Sequence, residues 1–247
     1  MTQNRTTPDW LNTPPENGSF RSILKWGAPG AFKNPSPGFL KVIKQALSLS
    51  DSDFQERQNQ GVEMVENQCP SRIPSKDIRL FEQIVGKENI GINTYERLKY
   101  SSGKSMEDIL KLRMNRVEDI SDLVLHPRNK DDVRKVVALC GEKKIPIHVY
   151  SGGSSVTFGL TCPKGGVTLV MGTHMNRLIR FNEINQTIEV EPGMTGPDYE
   201  NLLNNAPGKL GARRRYTGGH FPQSFEFSTV GGWVVTLGSG QASSYYG

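Results

Sequence analysis

The chain has 247 residues, of which 35% are hydrophobic and 22% charged, and its formal net charge is +5. This length supports one large or two small domains with a real core. The charge is thinly spread and forms no Lys/Arg block, which argues against a nucleic-acid partner. Neither a long apolar run nor an apolar leader occurs, so we expect a soluble, cytoplasmic protein without a transmembrane segment.

The cysteines give no sign of a structural disulfide or a zinc site. Cys69, Cys140 and Cys162 are odd in number, far apart and without C-x-x-C spacing. We therefore predict reduced thiols, as in a reducing compartment, and no metal.

The first part of the chain changes from polar to helical character. Residues 1–37, rich in Pro, Asn, Thr and Gly, predict an extended and poorly packed arm, and residues 38–118 predict a mostly helical region. Within that region apolar residues at helical spacing predict a helix over 38–49. Ser75 and Ser105 are predicted to cap two further helices. The apolar face of the helix after Ser75 comprises Ile78, Phe81, Ile84 and Val85.

The pattern changes again near residue 119, where a predicted domain begins that runs to residue 247. A short buried strand at 122–127, a helix ending at Gly141 and a strand at 145–150 together have the size of a βαβ unit. The buried face of the helix is predicted to comprise Val133, Val136, Val137 and Cys140.

Three more strands are predicted after this unit, at 166–172, 177–182 and 187–193, and the last two flank a turn at 183–186. A short helix over 195–205 follows, with proline in its first turn. The run "GGWVVT" after residue 230 is predicted as a strand with nothing after it to pack against. We therefore expect the chain to be part of a longer protein.

The stretch "HVYSGGSSVTFG", residues 148–159, places four small residues at the end of a predicted strand. Consecutive amides of a glycine-rich turn form an anion-binding nest, and the hydroxyls of Ser154 and Ser155 add donors. The stretch matches neither the P-loop nor the G-x-G-x-x-G pattern. The alternative is an ordinary glycine turn between strands.

A second candidate is residues 220–240, where phenylalanines alternate with polar residues before two glycine pairs. Such a segment suits a long, flat aromatic ligand that needs close backbone approach. The alternative is a glycine-relaxed β-bend in a core. Two glycine- and hydroxyl-rich segments in one chain favour a nucleotide ligand.

The remaining candidates are weaker. His126 and His148 are interpreted as structural, whereas His220 opens the second segment and is a candidate to face a ligand. The four histidines, which include His174, lack metal-site spacing, and no hydrolase motif occurs. The run 213–215, three arginines, is either a phosphate clamp or a solvated loop.

Several stretches of the second half of the chain resemble a known family. "PIHVYSGGSSVTFG", the stretch from Gly193 to Gly240 and the closing "YYG" are similar to the FAD-binding domain of the vanillyl-alcohol oxidase / p-cresol methylhydroxylase flavoproteins. Within that superfamily they most resemble the alkyldihydroxyacetonephosphate synthase group. The likeness covers about residues 120–247 and reaches weakly upstream through "KWG" at 25–27 and "YERLKYSSGKSMEDILKLR" at 95–113.

The resemblance implies an α+β fold: a PCMH-type FAD-binding domain, comprising the first α/β subdomain and part of the second, preceded by a mostly helical N-terminal region. It also implies three segments that contact the cofactor. The FAD-binding residues implied are Val149, Tyr150, Ser151, Gly152, Gly153, Ser154 and Ser155; Gln223, Ser224, Phe225, Glu226, Phe227, Ser228 and Thr229; and Thr236, Leu237, Gly238 and Ser239.

Three positions depart from the family pattern. Ser151 replaces a glycine usual in this loop, and Leu237 stands where the synthases usually carry arginine. In relatives that attach flavin covalently through this loop a histidine follows the glycine pair, and here the residue is Ser154. The resemblance therefore implies non-covalent FAD.

The function implied is that of a synthase-like flavoprotein, which exchanges an acyl for an alkyl group in ether lipid synthesis. Its catalytic residues are expected beyond residue 247, so none is assigned here. The partners expected are FAD, a small or lipid-like substrate, peripheral contact with a membrane and a second copy in a homodimer. The alternatives are an FAD-dependent oxidoreductase of the D-lactate/glycolate dehydrogenase type and a truncated product without flavin.

Overall fold

The computed structural model describes residues 15–23, 35–54, 59, 61–241 and 243–246. The resemblance noted at 25–27 lies outside them. The chain divides into two compact units: residues 1–66 with 109–116, and residues 67–108 with 117–247. The boundaries predicted at 37/38 and 118/119 stay predictions. Among the described residues no helix is both long and apolar enough to cross a membrane.

Helices and strands follow one another through the described residues. The α-helices are α1 (Pro37–Ala46), α2 (Ser75–Val85), α3 (Thr94–Lys99), α4 (Met106–Arg113), α5 (Lys130–Lys143), α6 (Gly196–Asn204), α7 (Ala206–Leu210), α8 (Val230–Thr236) and α9 (Ser243–Tyr246). The β-strands are β1 (Ile90–Gly91), β2 (Leu123–Leu125), β3 (Ile147–Tyr150), β4 (Val167–Val170), β5 (Leu178–Asn182) and β6 (Thr187–Val190).

In the first unit, α1 begins after Ser36, whose hydroxyl accepts a hydrogen bond from the Phe39 amide at 3.2 Å. The helix predicted over 38–49 is thus confirmed. The described part of the predicted arm contains a 3-10 turn at Phe20–Ile23 whose four residues are all buried. That stretch is packed, unlike the extended arm that its composition predicts.

The helix caps are partly as predicted. The Ser105 hydroxyl accepts from the Asp108 amide at 3.1 Å, and the Asp108 carboxylate accepts from the Ser105 amide at 3.1 Å, so Ser105 caps α4 as a capping box. Ser75 is instead the first residue of α2, and Pro74 holds the cap position without a side-chain bond. The prediction of a Ser75 cap was wrong because the proline before it has the extended conformation that a cap needs.

The main sheet has four strands in the order β1-β2-β4-β3. β2 and β3 both run parallel to β4, and β1 pairs antiparallel with β2. The predicted strand–helix–strand unit is confirmed as β2–α5–β3, but β4 lies between its two strands. The parallel arrangement places the carboxyl ends of β2, β3 and β4 on one edge of the sheet.

Helix α5 differs at its end from the prediction. It continues through Gly141 to Lys143, and its C-cap residue Lys144 adopts the left-handed conformation with φ 57°. Gly141 is exposed within the last turn, where no left-handed residue is required. Of the predicted apolar face, Val136 and Cys140 are buried, whereas Val137 is 47% exposed.

The second half of the larger unit begins with the hairpin β5–β6, whose turn at 183–186 is confirmed. α6 follows as predicted, capped by the Thr195 hydroxyl. The prediction of a strand over "GGWVVT" was wrong, because these residues form α8. The Thr229 hydroxyl caps this helix by accepting from the Gly232 amide at 3.3 Å, and cap chemistry overrides the β-preference of the two valines.

The core of the larger unit lies between the sheet and helices α2 and α5. Its buried members are Ile73, Phe81, Val85, Leu123, Leu125, Val136, Cys140, Val167, Leu169, Met171 and Met175. Ile78 and Ile84 pack against this cluster, so the predicted apolar face of α2 is confirmed. All three cysteines are free thiols, and burial raises the pKa of Cys140 to about 11.

We predict that Phe81→Ala lowers the free energy of unfolding by about 3–5 kcal/mol, since it empties a fully buried core position. Val235→Ala, at a side chain that is 82% exposed, is the control and should change it by less than about 0.5 kcal/mol. Urea denaturation followed by circular dichroism measures both. Equal effects of the two substitutions would contradict the assignment of this core.

Candidate functional site

The glycine–serine loop lies where the structure ends β3, at the carboxyl edge of the parallel strands. Gly153 has φ +69°, a left-handed conformation that favours glycine. A Cβ at Gly153 would lie 1.9 Å from the Tyr150 hydroxyl, and one at Gly152 would lie 1.8 Å from the Phe227 carbonyl oxygen. Both glycines are therefore required by the shape of the loop, which turns tightly over the end of its own strand.

The loop presents a row of free backbone donors. Among the described residues, the amides of Gly152, Gly153, Ser154 and Ser155 donate to no protein acceptor. Backbone N–H groups in folded proteins normally donate a hydrogen bond, either to a protein acceptor or to water. Consecutive unpaired amides around a left-handed glycine form a concave site suited to an anion.

The Ser155 hydroxyl is used within the loop itself. It accepts from the Gly159 amide at 3.1 Å, and the Ser155 carbonyl accepts from the Lys104 amide at 2.7 Å. A Cβ at Gly103 would lie 2.8 Å from the same carbonyl. The segment 103–104 thus anchors the far end of the loop, and sequence reasoning missed it because a single glycine between polar residues carries no distinctive signal.

The structure brings the first two predicted segments together. The Ser151 and Thr229 hydroxyls are hydrogen-bonded to each other, and Gly152 approaches the backbone at Phe227. Thr229 is fixed in turn by a β-bridge to Thr195 at the start of α6. Two segments more than 70 residues apart in the chain therefore meet side by side.

The aromatic side chains of the second segment pack mainly on one another. Phe225 stacks against Trp233 at 6.2 Å between ring centroids and lies 5.2 Å from Phe221. The Trp233 indole N–H donates to the Ser228 hydroxyl at 2.7 Å. Residues 223–227 form turns and Thr229 forms a β-bridge, and the choice between a ligand-binding segment and a bend in the core stays a prediction. Within the segment Gln223 and Glu226 are exposed.

The third predicted segment begins at Thr236, the last residue of α8, and continues beyond the helix. The Thr236 hydroxyl donates to the Gly232 carbonyl at 2.8 Å, and the Gly238 amide donates to the Trp233 carbonyl at 2.9 Å. Leu237 has φ 50° and is 89% exposed. No hydrogen bond within the described residues joins this segment to the loop at 149–155.

The hydrogen bonds of two histidines agree with the structural roles predicted for them, and the role of His220 stays a prediction. His126 lies with its Nδ1 2.7 Å from the Thr173 hydroxyl, and His148 Nε2 lies 2.9 Å from the Gly165 carbonyl. The Nε2 of His220 is buried without a partner in the described structure, and its ring lies 4.8 Å from that of Trp233. No group of acidic, histidine or cysteine residues among those described is arranged to hold a metal.

The arginines at 213–215 are exposed. The Arg213 amide donates to the Glu183 carboxylate at 2.7 Å and is the main reason that the pKa of Glu183 is lowered. The Arg214 guanidinium lies over the Tyr216 ring, 5.3 Å from its centroid. These contacts secure the loop to the β5–β6 hairpin, and the phosphate clamp stays a prediction.

A loop with unpaired amides at the carboxyl edge of parallel strands, in contact with a second glycine-rich segment, has the geometry expected of a nucleotide-binding α+β domain. The FAD binding domain family matches residues 121–247. The chain belongs to this family, and FAD is its cofactor. The free amides and the two glycine positions that a Cβ would fill fit the phosphates of that cofactor.

Relatives of known name agree with this assignment. The chain is 27% identical over 220 residues to alkyldihydroxyacetonephosphate synthase of Trypanosoma brucei brucei. This alignment covers 86% of this chain and 35% of the relative. It is 27% identical over 169 residues to glycolate oxidase subunit GlcD of Bacillus subtilis, covering 67% of this chain and 31% of the relative. The chain thus spans about a third of the length of these curated relatives.

A solved structure confirms the predicted fold class. An alkyldihydroxyacetonephosphate synthase structure superposes with a TM-score of 0.65 and 26% sequence identity, covering 73% of this chain and 34% of that one. The fold is therefore the α+β, PCMH-type FAD-binding fold that the resemblance implies.

Proposed function

We propose that the loop from Gly152 to Ser155 holds the diphosphate of FAD. The observation that carries the proposal is the row of four backbone amides around a left-handed glycine, none of which has an acceptor in the part of the chain that the structure describes. Backbone N–H groups bind a diphosphate without a charged side chain, because several partial positive charges converge on its oxygens. The Ser154 hydroxyl, which has no partner among the described residues, supplies a further donor.

The second segment, residues 223–229, and the third, residues 236–239, are proposed to continue the site toward the ribityl chain and the ring of the flavin. Support comes from the direct contact of the loop with Phe227 and Thr229. In this arrangement the domain binds and orients the cofactor. The flavin, once bound, supplies an electrophilic or redox-active ring to a substrate.

For the whole protein we propose the activity for which the synthase relative is named, an exchange of an acyl for an alkyl group in ether lipid synthesis. The coverage of 86% of this chain by that relative supports it. A cytoplasmic location, a lipid-like substrate, peripheral membrane contact and a homodimer complete the proposal. The second candidate is an FAD-dependent oxidoreductase, which the likeness to a glycolate oxidase subunit favours.

The cofactor proposal is tested by titrating the purified 247-residue chain with FAD. We expect saturable binding with the visible absorbance of bound flavin and a change in flavin fluorescence. A chain that folds, as judged by circular dichroism, but binds no FAD would instead support the alternative of a product without flavin.

A further prediction concerns the attachment of FAD. Ser154 offers no nucleophile comparable to the histidine that tethers flavin in some relatives, so we expect non-covalent binding. Acid precipitation of the holoprotein should release all flavin into the supernatant. Flavin that stays in the protein pellet after washing in denaturant would contradict non-covalent binding.

A further inference from the structure

Three aromatic rings pack edge to face beside the loop at 152–155. They are Tyr150, Tyr100 and His126, which we call the aromatic support. The Tyr100 ring meets that of Tyr150 edge-on at 5.0 Å and 88°, and meets the His126 ring at 5.3 Å and 77°. Edge-to-face pairs at these distances are favourable and set the relative orientation of the rings.

The upper end of the support touches the loop. A Cβ at Gly153 would fall 1.9 Å from the Tyr150 hydroxyl, so this hydroxyl lies against the backbone of the left-handed residue. Burial raises the pKa of Tyr150, with a smaller contribution from Tyr100, and the hydroxyl therefore keeps its proton at physiological pH. The Tyr150 ring therefore limits the space available to the turn at Gly153.

The lower end is fixed by hydrogen bonds. His126 Nδ1 lies 2.7 Å from the Thr173 hydroxyl and its Nε2 lies 3.2 Å from the Glu96 carboxylate. Both ring nitrogens are thus engaged, which prevents rotation of the imidazole. Glu96 lies in α3, and the Tyr100 amide donates to its backbone carbonyl at 3.1 Å. The same helix therefore holds both the tyrosine and the carboxylate that orients the histidine.

We propose that Tyr100 and His126 are positioning residues for FAD binding, which hold Tyr150 so that the amides of the loop converge on the diphosphate. The proposal rests on the proposed function of the loop. Nothing in the first two cofactor segments includes these residues, which come from the turn after α3 and from the loop after β2. A loop that is already ordered binds its ligand more tightly, because less conformational entropy is lost on binding.

The test compares Tyr100→Leu, which removes the ring, with Tyr100→Phe, which keeps it. FAD dissociation constants are measured on the 247-residue chain, well below the melting temperature of each variant. We expect Tyr100→Leu to weaken binding at least about tenfold and Tyr100→Phe to stay within about twofold of the unchanged chain. Binding that phenylalanine retains and leucine loses would show that the ring, and not the hydroxyl, of Tyr100 is required.

Leu98→Ala is the matched control, because Leu98 is buried in the same helix, α3, at 3% exposure. It should lower the melting temperature without changing the FAD dissociation constant. Thr173→Val provides a second test at an exposed position, where folding is not at risk, and should weaken FAD binding by a smaller factor because His126 loses one partner.

Unchanged affinity in Tyr100→Leu or in Thr173→Val, or an equal loss in Leu98→Ala, would overturn the aromatic support. If these variants bind normally while Gly153→Asp loses FAD, the support fails and the proposed function stands. If the unchanged chain binds no FAD, the proposed function fails, and the support fails with it.

Discussion

Gly153→Asp is expected to lower the affinity for FAD by at least about 100-fold. The left-handed φ of +69° disfavours any side chain at this position, and the new Cβ would meet the Tyr150 hydroxyl at 1.9 Å. The added carboxylate would also lie beside the diphosphate, where like charges repel. Strain, steric conflict and charge therefore all act against the cofactor.

The measurement is FAD titration by flavin fluorescence, together with the flavin content of the purified protein. Gly208→Asp is the matched control, because it adds the same charge in α7, where a Cβ would meet nothing within 4 Å. Gly153→Ala separates shape from charge and should have an intermediate effect. Unchanged flavin content in Gly153→Asp, with the fold intact by circular dichroism, would refute the assignment of the diphosphate to this loop.

Asp122→Ala is expected to destabilise the larger unit by about 3–5 kcal/mol. The Asp122 carboxylate is buried at the start of β2 and accepts from the Gly166 amide at 2.7 Å and the Arg72 amide at 3.0 Å. Its Oδ1 also lies 3.1 Å from Arg72 Nε and 3.9 Å from the guanidinium of the buried Arg97. Removing the carboxylate leaves a buried cation and two amides without their partner.

The same carboxylate predicts a dependence of stability on pH. Burial alone would raise the pKa of Asp122, but hydrogen bonds from Gly166 and Arg72 and the charge of Arg72 outweigh it, so the pKa is lowered. Because the pKa is lower in the folded state, the stabilisation is fully present above the unfolded pKa of about 3.9. It is lost as the pH falls through the folded pKa.

Urea denaturation at neutral pH and at a series of acidic pH values measures both effects. Asp131→Ala is the control, since Asp131 and its partner Arg134 are largely exposed and 3.9 Å apart, and exposed pairs contribute little. In Asp122→Ala the loss of stability should be largest at neutral pH and shrink in acid. A loss of stability as small as that of Asp131→Ala would contradict the role assigned to Asp122.

The main elements of the sheet could be predicted because their signals are local. Leu123 to Leu125 are continuous apolar residues before a proline, and α5 has its cap and apolar spacing within a single stretch. The prediction of a strand over "GGWVVT" was wrong because two other features favour the helix. Thr229 caps it, and Gly231 packs so closely that a Cβ there would meet Pro192 at 2.5 Å. Pro192 is distant in sequence, so no window around the valines contains that information.

The candidate site was likewise predicted only in part from the sequence. The loop at 152–155 was identified from four small residues in a row, and its family resemblance named the ligand. The contact with Phe227 and Thr229, and the support by Tyr100, required the fold. Neither aromatic spacing nor composition links residue 100 with residue 150.

The sequence by itself determined the family and the cofactor, through its resemblance to known flavoproteins. It also determined the backbone chemistry of the loop, because a short run of glycine and serine allows a tight turn with exposed amides. Only the tertiary structure decided the position of β4 between β2 and β3, the helical state of α8 and the set of residues that hold the loop. These depend on which distant surfaces meet, and packing between segments far apart in the chain overrides the preference of each segment alone.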